Sequence, residues 1–307
     1  MEVLRFLEGM RTPVGDWFFS TITYLGDELV FMLVGLLFYW CIDKKKGYYL
    51  LTVGFLGTVI NQFLKLWFRV PRSWVRDADF TIVESARADA TGYSFPSGHS
   101  QASVGIFGGV ARFTKKKYIR ILCVAVCVLV PFSRLYLGVH TPMDVIVSVV
   151  IATGLVFLVY PLVYKAMENP KYMRGFMLIL AGIAAFYIMF VELYPFPTDI
   201  DMHNYTSGRE NAYKMLGCII GMWFAYELDS RFIQFSTKGN TLSQIIKLVG
   251  GLLLVLVIKY GMKAPLYSLI PTETLADGIR YFMLTAFAGG IWPMFFANIT
   301  GAFEKKL

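Results

Sequence analysis

An all-α, polytopic membrane protein is the fold class that three features of this sequence predict. Apolar residues make up 56% of the 307-residue chain. They gather in runs of about 20 residues, long enough for a helix to cross a bilayer. The polar segments between the runs carry their lysines and arginines in alternate loops. The formal charge, 29 − 21 = +8, belongs with those loops. Such an excess in a membrane protein calls for no nucleic-acid partner.

Residues 1–15 are too polar to span. Val3, Phe6, Leu7 and Met10 recur at helical spacing and predict a short helix lying on the membrane surface. The first span runs from about Asp16 to Ile42. Asp27 and Glu28 interrupt it, either capping a break after Gly26 or facing the protein interior. After the basic turn Asp43-Lys44-Lys45-Lys46, a second span covers about Tyr48 to Val70 and stops at Pro71. Residues 71–95 form a polar loop. The third span opens at Pro96 and ends near Phe113, the fourth covers about Ile121 to Leu137, and the fifth runs from Pro142 to about Tyr164. Four more fall near 175–194, 212–228, 246–263 and 280–303, giving about nine in all.

Basic residues set the expected topology. Lys44–Lys46, Lys115–Lys117 with Arg120, Lys165 with Lys171 and Arg174, Arg231 with Lys238, and Lys305-Lys306 all fall in alternate loops. The positive-inside rule makes that side cytoplasmic. The N-terminus is then outside, the C-terminus inside, and Lys65, His99, His140 and Asp144 lie at the outer face. No cleavable signal peptide is expected, because Glu2, Arg5, Glu8 and Arg11 interrupt the first residues. With no eukaryotic targeting signal in view, a bacterial plasma membrane is the expected location. Cys41, Cys123, Cys127 and Cys218 sit inside apolar runs and read as buried thiols rather than a disulfide framework.

Chemistry concentrates between Thr91 and Asp144, which holds two of the three histidines. Apolar segments do not carry His, Arg and Asp unless these groups are paired or working. Pro96-Ser97-Gly98-His99 opens a span, so its unpaired backbone N–H groups form an anion site. Gly98 admits an oxyanion close to the backbone, Ser97 adds a hydroxyl, and His99 stands beside the bound group. An ordinary N-cap with an interfacial histidine is the competing explanation. Thr141-Pro142 starts the next span, with His140 just before it and Asp144 in its first turn. A carboxylate accepting from one ring N–H of His140 fixes the tautomer and leaves the other nitrogen free to attack. Arg134 offers a planar fork to phosphate oxygens; a structural Arg134–Asp144 pair is the alternative. Lys65 and Arg72 close the second span and turn outward, with Arg69 a competitor and snorkelling at the headgroups the plainer account.

Lys65-x6-Arg72, Pro96-Ser97-Gly98-His99 and Ser133-Arg134-x5-His140-x3-Asp144 together resemble the three signature segments of the type 2 phosphatidic acid phosphatase superfamily. That superfamily includes lipid phosphate phosphatases, glucose-6-phosphatase and vanadium haloperoxidases. The resemblance covers about residues 20–165. It implies a five-helix phosphatase core within residues 1–165, followed by four additional C-terminal helices over 166–307 in the same membrane domain. It departs from the family at Ser73, where a proline usually follows the arginine; here Pro71 precedes Arg72. The resemblance implies that His140 is the nucleophile of a phosphohistidine, Asp144 its orienting acid and His99 the proton donor to the leaving oxygen. Lys65, Arg72, Ser97, Gly98 and Arg134 would hold the phosphoryl oxygens.

No Asp/Glu/His cluster has a defensible metal-ligand spacing, so metal-independent turnover without a cofactor is expected. The expected substrate is a lipid phosphate of the phosphatidic acid, phosphatidylglycerol phosphate or polyprenyl pyrophosphate class, met in the bilayer. A sugar phosphatase like glucose-6-phosphatase is the alternative, and a non-catalytic lipid-phosphate binder or transporter is the reading from another class. Outside these segments, Asn61 and Gln62 read as interhelical hydrogen-bonding groups, Asn61 within reach of the site. Trp67, Trp74 and Tyr93 read as interfacial aromatics. His203 reads as a solvated loop residue.

Overall fold

The computed structural model describes residues 1–304, all of whose regular elements are helical. The Lys305-Lys306 pair lies outside the described residues. Among those residues, six helices are long and apolar enough to cross a membrane, and a bent pair makes a seventh. The pair is Pro13–Gly26 and Glu28–Ile42, meeting at 49°. It contains α2 (Pro13–Thr23) and α3 (Glu28–Leu37). The break is a capping event: Asp27 Oδ1 accepts from the Leu29 N–H at 2.8 Å, starting α3 afresh.

The short helix α1 (Glu2–Gly9) precedes them. Then come α4 (Lys44–Phe68), the single turn α5 (Ser73–Arg76), α6 (Gly98–Phe113), α7 (Lys117–Tyr136) and α8 (Pro142–Ala166). The later helices are α9 (Pro170–Leu193), α10 (Met202–Leu228), α11 (Thr241–Ile245), α12 (Gly251–Gly261), α13 (Lys263–Leu269), α14 (Glu273–Ala286) and α15 (Phe296–Glu304). A helix therefore occupies each of the segments that hydropathy marks as a span. The 16-residue α6 and the polar-headed α10 fall outside the length-and-apolarity test.

Two compact units divide the chain. One comprises residues 1–32, 52–160 and 196–208. Its central helix is α6, whose Ser100, Gln101 and Ser103 are buried. Small residues let neighbours approach closely: a Cβ at Gly105 would lie 3.2 Å from Val53 of α4, and one at Gly108 would lie 3.6 Å from Val156 of α8. A helix shielded in this way tolerates buried polar residues such as Ser100, Gln101 and Ser103. Arg120 donates to the Thr114 carbonyl at 2.7 Å and tightens the turn from α6 into α7.

The other unit comprises residues 33–51, 161–195 and 209 onward. Lys44 Nζ meets Asp229 at 2.7 Å and lies 3.6 Å from the Phe235 ring centre. Tyr39 and Trp40 donate to the Gly289 and Ala288 carbonyls at 2.7 and 2.8 Å. Helices α10 and α14 pack backbone to backbone, since a Cβ at Gly217 would stand 2.1 Å from the Gly278 carbonyl oxygen. Lys214 of α10 pairs with buried Asp277 of α14 at 3.0 Å. The four cysteines form no disulfide.

Two boundaries correct the sequence reading. Helix α10 begins ten residues before 212, at Met202. Asp201 Oδ1 accepts from the Asn204 N–H at 3.0 Å, an N-cap that draws His203 out of the expected loop into the first turn. In α1, Leu7 does not share the outer face with Val3, Phe6 and Met10. It is buried, as is Leu4, which packs with Phe80, Ile82 and Tyr136 where the loop after α5 folds over the end of α7.

The α10–α14 contact leads to a stability prediction. Gly217→Ala forces backbone apart and should cost about 1–3 kcal/mol. Gly175→Ala in α9, where nothing lies within 4 Å of the added carbon, should be close to neutral. Thermal unfolding of both variants in detergent micelles checks the difference.

Candidate active site

The motif residues converge within the first unit because each sits at a helix end. Lys65 occupies the last turn of α4, Arg72 the N-cap of α5, Ser97 the N-cap of α6, Arg134 the last turn of α7 and Asp144 the first turn of α8. His140 lies in the turn between α7 and α8. Lys65, Arg72, Arg134, His140 and Asp144 are all buried.

The segment Thr91-Gly92-Tyr93 runs between the first two cations and offers them its carbonyls. Lys65 Nζ donates to Tyr93 O at 2.7 Å and Thr91 O at 3.3 Å. Arg72 Nη2 donates to Thr91 O at 2.6 Å and its Nε to Gly92 O at 3.0 Å. Gly92 has a φ of +70°, a left-handed conformation that glycine adopts without steric cost and that aims these carbonyls at the cations. Arg69, the competitor for Lys65, points elsewhere: it donates to Leu66 O and stacks 6.0 Å from the Phe196 ring centre.

The third edge of Arg72 reaches His140. Nη1 lies 3.0 Å from the Val139 carbonyl and 3.1 Å from His140 Nε2. An arginine can only donate, so Nε2 must accept and the ring proton must sit on Nδ1. Nδ1 faces Asp144 Oδ2 at 3.5 Å. Burial and then the neighbouring Arg72 charge push the His140 imidazole well below its ordinary pKa, keeping the ring neutral. The result is a desolvated imidazole with its lone pair on Nε2.

Asp144 is itself fixed. Its Oδ2 accepts from Ser94 Oγ at 2.6 Å and from the Thr141 N–H at 2.8 Å, while Thr141 Oγ1 accepts from the Asp144 N–H at 3.4 Å. This is a reciprocal cap on α8. The Asp144 carbonyl accepts from the Ser97 N–H at 3.1 Å, tying the start of α8 to the start of α6. Ser97 Oγ lies 2.9 Å from Ser100 Oγ and accepts from the Ser100 N–H, which leaves the first-turn N–H groups at Gly98 and His99 for an anion.

Arg134 does not pair with Asp144. Its Nη1 donates to Thr23 Oγ1 at 2.7 Å, and its Nε and Nη2 are buried without a hydrogen-bond partner among the described residues. His99 Nε2 is in the same condition. Buried polar atoms left unpaired in this way call for a partner that the protein itself does not supply. Arg134 presents two adjacent N–H groups, the geometry that grips two oxygens of one phosphoryl group.

Several contributors carry no recognisable sequence signal. Thr23 reaches Arg134 across 111 positions, and Ser94 reaches Asp144 across 50. Ser73, the departure from the family pattern, is fully buried and donates to the Gly138 carbonyl, so it joins the first motif to the third. The N-terminal segment clamps the same region. Arg11 Nε donates to Tyr136 O at 3.0 Å and its Nη1 to Thr81 O at 2.8 Å. Arg5 reaches Asp77 at 2.7 Å and the Asp79 carbonyl at 3.0 Å. Below these bonds, Leu4, Phe80, Leu137 and Val139 pack in one apolar cluster directly before His140.

Comparison with known proteins points to one family. Residues 45–168 match the PAP2 superfamily, and residues 213–303 match the PAP2 superfamily phosphatase, transmembrane extension. The chain is 26% identical over 234 residues to a probable sphingosine-1-phosphate phosphatase of Dictyostelium discoideum, covering 71% of this chain and 55% of that protein. It is 33% identical over 118 residues to an undecaprenyl-diphosphatase of Bacillus subtilis, covering 38% and 58% respectively. It is 30% identical over 167 residues to phosphatidylglycerophosphatase B of Bacillus subtilis, covering 49% and 76%. The chain thus spans a little over half the length of the first two relatives. No solved structure matches it with significance. The chain belongs to the PAP2 superfamily.

The N-terminal clamp is testable apart from any activity. Arg11→Ala removes the hydrogen bonds to the Tyr136 and Thr81 carbonyls, about 1–3 kcal/mol together. Amide hydrogen exchange over residues 77–86 and 136–140 should then quicken by roughly tenfold. Exchange unchanged from wild type in both segments would show that the clamp contributes nothing.

Proposed function

We propose that this chain is an integral membrane phosphatase that hydrolyses a phosphorylated lipid at the outer membrane face through a phosphohistidine on His140. The observation that carries the reading is the Arg72–His140–Asp144 arrangement, which sets a neutral imidazole with its lone pair on Nε2 beside the orphaned N–H groups of Arg134.

The reaction runs in two steps. The phosphoryl group is held by Arg134, the Gly98 and His99 N–H groups, Ser97, Lys65 and Arg72. Arg72 Nη1 transfers its hydrogen bond from Nε2 to a phosphoryl oxygen, releasing the lone pair. Nε2 forms a bond to phosphorus as the ester or anhydride bond breaks, and His99, which takes up a proton as the phosphoryl anion binds, gives that proton to the leaving oxygen. Asp144 stabilises the positive charge that the ring acquires. Water then attacks phosphorus, the N–P bond breaks, and the water proton returns to His99. Three cations fixed by carbonyls and Thr23 offset the phosphoryl charge, a task that divalent ions perform in many other phosphoryl-transfer sites. Among the described residues no three His, Cys, Asp or Glu side chains come together as metal ligands.

The substrate class follows from the setting. The site lies at the ends of apolar helices, where a headgroup diffusing in the membrane meets it. The relatives' names refer to sphingosine 1-phosphate, undecaprenyl diphosphate, phosphatidylglycerophosphate and lipid A. What these share is a phosphate on a membrane-anchored lipid, and that class is assigned here. The positive-inside pattern supports the outer-face placement, with the C-terminus cytoplasmic in a bacterial plasma membrane.

Phosphate release from purified lipid phosphates and sugar phosphates tests the reading. His140→Ala should abolish release, and Asp144→Asn should lower kcat by about 10²–10⁴ while leaving KM nearly unchanged. Equal turnover by His140→Ala and wild type would refute the mechanism, and turnover of sugar phosphates alone would refute the lipid assignment. Excess chelator should leave the rate unaltered; loss restored only by Mg²⁺ would overturn the three-cation account.

A further inference from the structure

Helices α4 and α6 run antiparallel beside the site, and their facing side chains form successive rungs. Lys65 stands at the top. One turn inward, Asn61 Oδ1 lies 3.9 Å from the position of a Cβ at Gly98. A turn further, Gln101 Nε2 lies 2.8 Å from the position of a Cβ at Gly57, so only glycine leaves room for that amide. Val53 against Gly105 then closes the seam with apolar contact.

The two amides of this seam are anomalous. Asn61 is 2% exposed and Gln101 5% exposed. Neither the nitrogen nor the oxygen of either amide has a hydrogen-bond partner among the described residues. Interhelical bonding, the ordinary role of such residues in a membrane helix, is therefore not their role here. Each amide presents two donors and an acceptor. His99 Nε2, next in sequence to Gly98, is buried and likewise without a partner. The two amides carry unpaired polar groups one to two turns inward from the phosphoryl site along the α4–α6 seam.

The chemistry of these groups selects their ligand. Both amides are neutral, and Lys65 Nζ gives two of its three N–H groups to the Thr91 and Tyr93 carbonyls and the third to the phosphoryl group of the first site. A second phosphate placed there would be a buried anion without a cation. Water, which binds where two to four polar partners converge, fits the groups present.

We infer that Asn61 and Gln101 hold the water that hydrolyses the phosphohistidine. The inference rests on the reading of His140 as the nucleophile. After the first step His99 has given up its proton and is a base. The water held by Asn61 donates one hydrogen to His99 Nε2 while its oxygen forms the new P–O bond. The P–Nε2 bond breaks, its electron pair returns to His140, and inorganic phosphate leaves. Gln101 holds the next water inward and fixes the orientation of the first. Both residues thus serve the second half-reaction and not the first.

Rapid-quench kinetics with ³²P-labelled phosphatidic acid in detergent micelles separates the two halves. In Asn61→Leu the rate of phosphoenzyme formation should stay within about twofold of wild type, while its breakdown slows by about tenfold or more. Labelled protein should then accumulate, and added methanol should capture a larger share of the phosphoryl group. Gln101→Met should show the same split to a smaller degree. Equal slowing of both steps, or breakdown at the wild-type rate, would overturn the inference. Should Asn61→Leu fail to elute as the wild type in gel filtration, Asn61→Ala and Gln101→Met decide between these outcomes by the same criteria. Absence of labelled wild-type protein, with breakdown not outrunning formation, would instead sink the phosphohistidine reading and this inference with it.

Discussion

The guanidinium of Arg72 is the constraint on which the site turns. It spends one edge on Thr91 and Gly92 and another on Val139 and His140 Nε2. Because arginine has no acceptor, this contact dictates the histidine tautomer, and the tautomer directs Nδ1 toward Asp144. Two loops from distant parts of the chain are thereby locked to one planar group. Lysine could not do this: a point charge on a flexible stem fixes neither the plane nor the second edge. Ser73, next in the chain, adds a bond to Gly138 and keeps the turn before His140 from drifting.

Burying so many charges in a membrane protein is costly, and the fold meets the cost with backbone. Lys65 and Arg72 find carbonyls, Asp144 finds Ser94 and the Thr141 N–H, and the span ends supply N–H groups for an anion. Satisfied groups hold still, and the unpaired atoms of Arg134, His99 and Asn61 are those that the proposed mechanism gives to substrate and water. Arg134 combines both conditions in one side chain: one nitrogen anchored on Thr23 and two others unpartnered. Preorganisation of this kind places fixed dipoles around developing charge at no cost during the reaction.

Much of this was legible in the chain, for local reasons. Thr141-Pro142 reads as a helix start whatever surrounds it, and that start places Asp144 one turn from His140. The apolar runs locate helices because bilayer thickness sets their length. Other parts were not legible, because their causes are non-local. No spacing rule joins Thr23 to Arg134 or Ser94 to Asp144. Leu7 recurs in the sequence with the exposed apolar residues of α1 and yet is buried, and the start of α10 depended on whether Asp201 capped it. Asn61 could be read as an interhelical bonding group, but only the three-dimensional structure reveals that both atoms of its amide lack a partner among the described residues. The later helices, matched as a transmembrane extension, carry their own buried ion pair at Lys214 and Asp277, which periodicity alone did not announce.

The central claim concerns one nitrogen atom. Quenching the reaction in alkali, digesting the protein and identifying the phosphohistidine isomer at position 140 tests it most directly. The Arg72 and Asp144 contacts require phosphorus on Nε2. Phosphorus on Nδ1, or on a residue other than His140, would contradict the account.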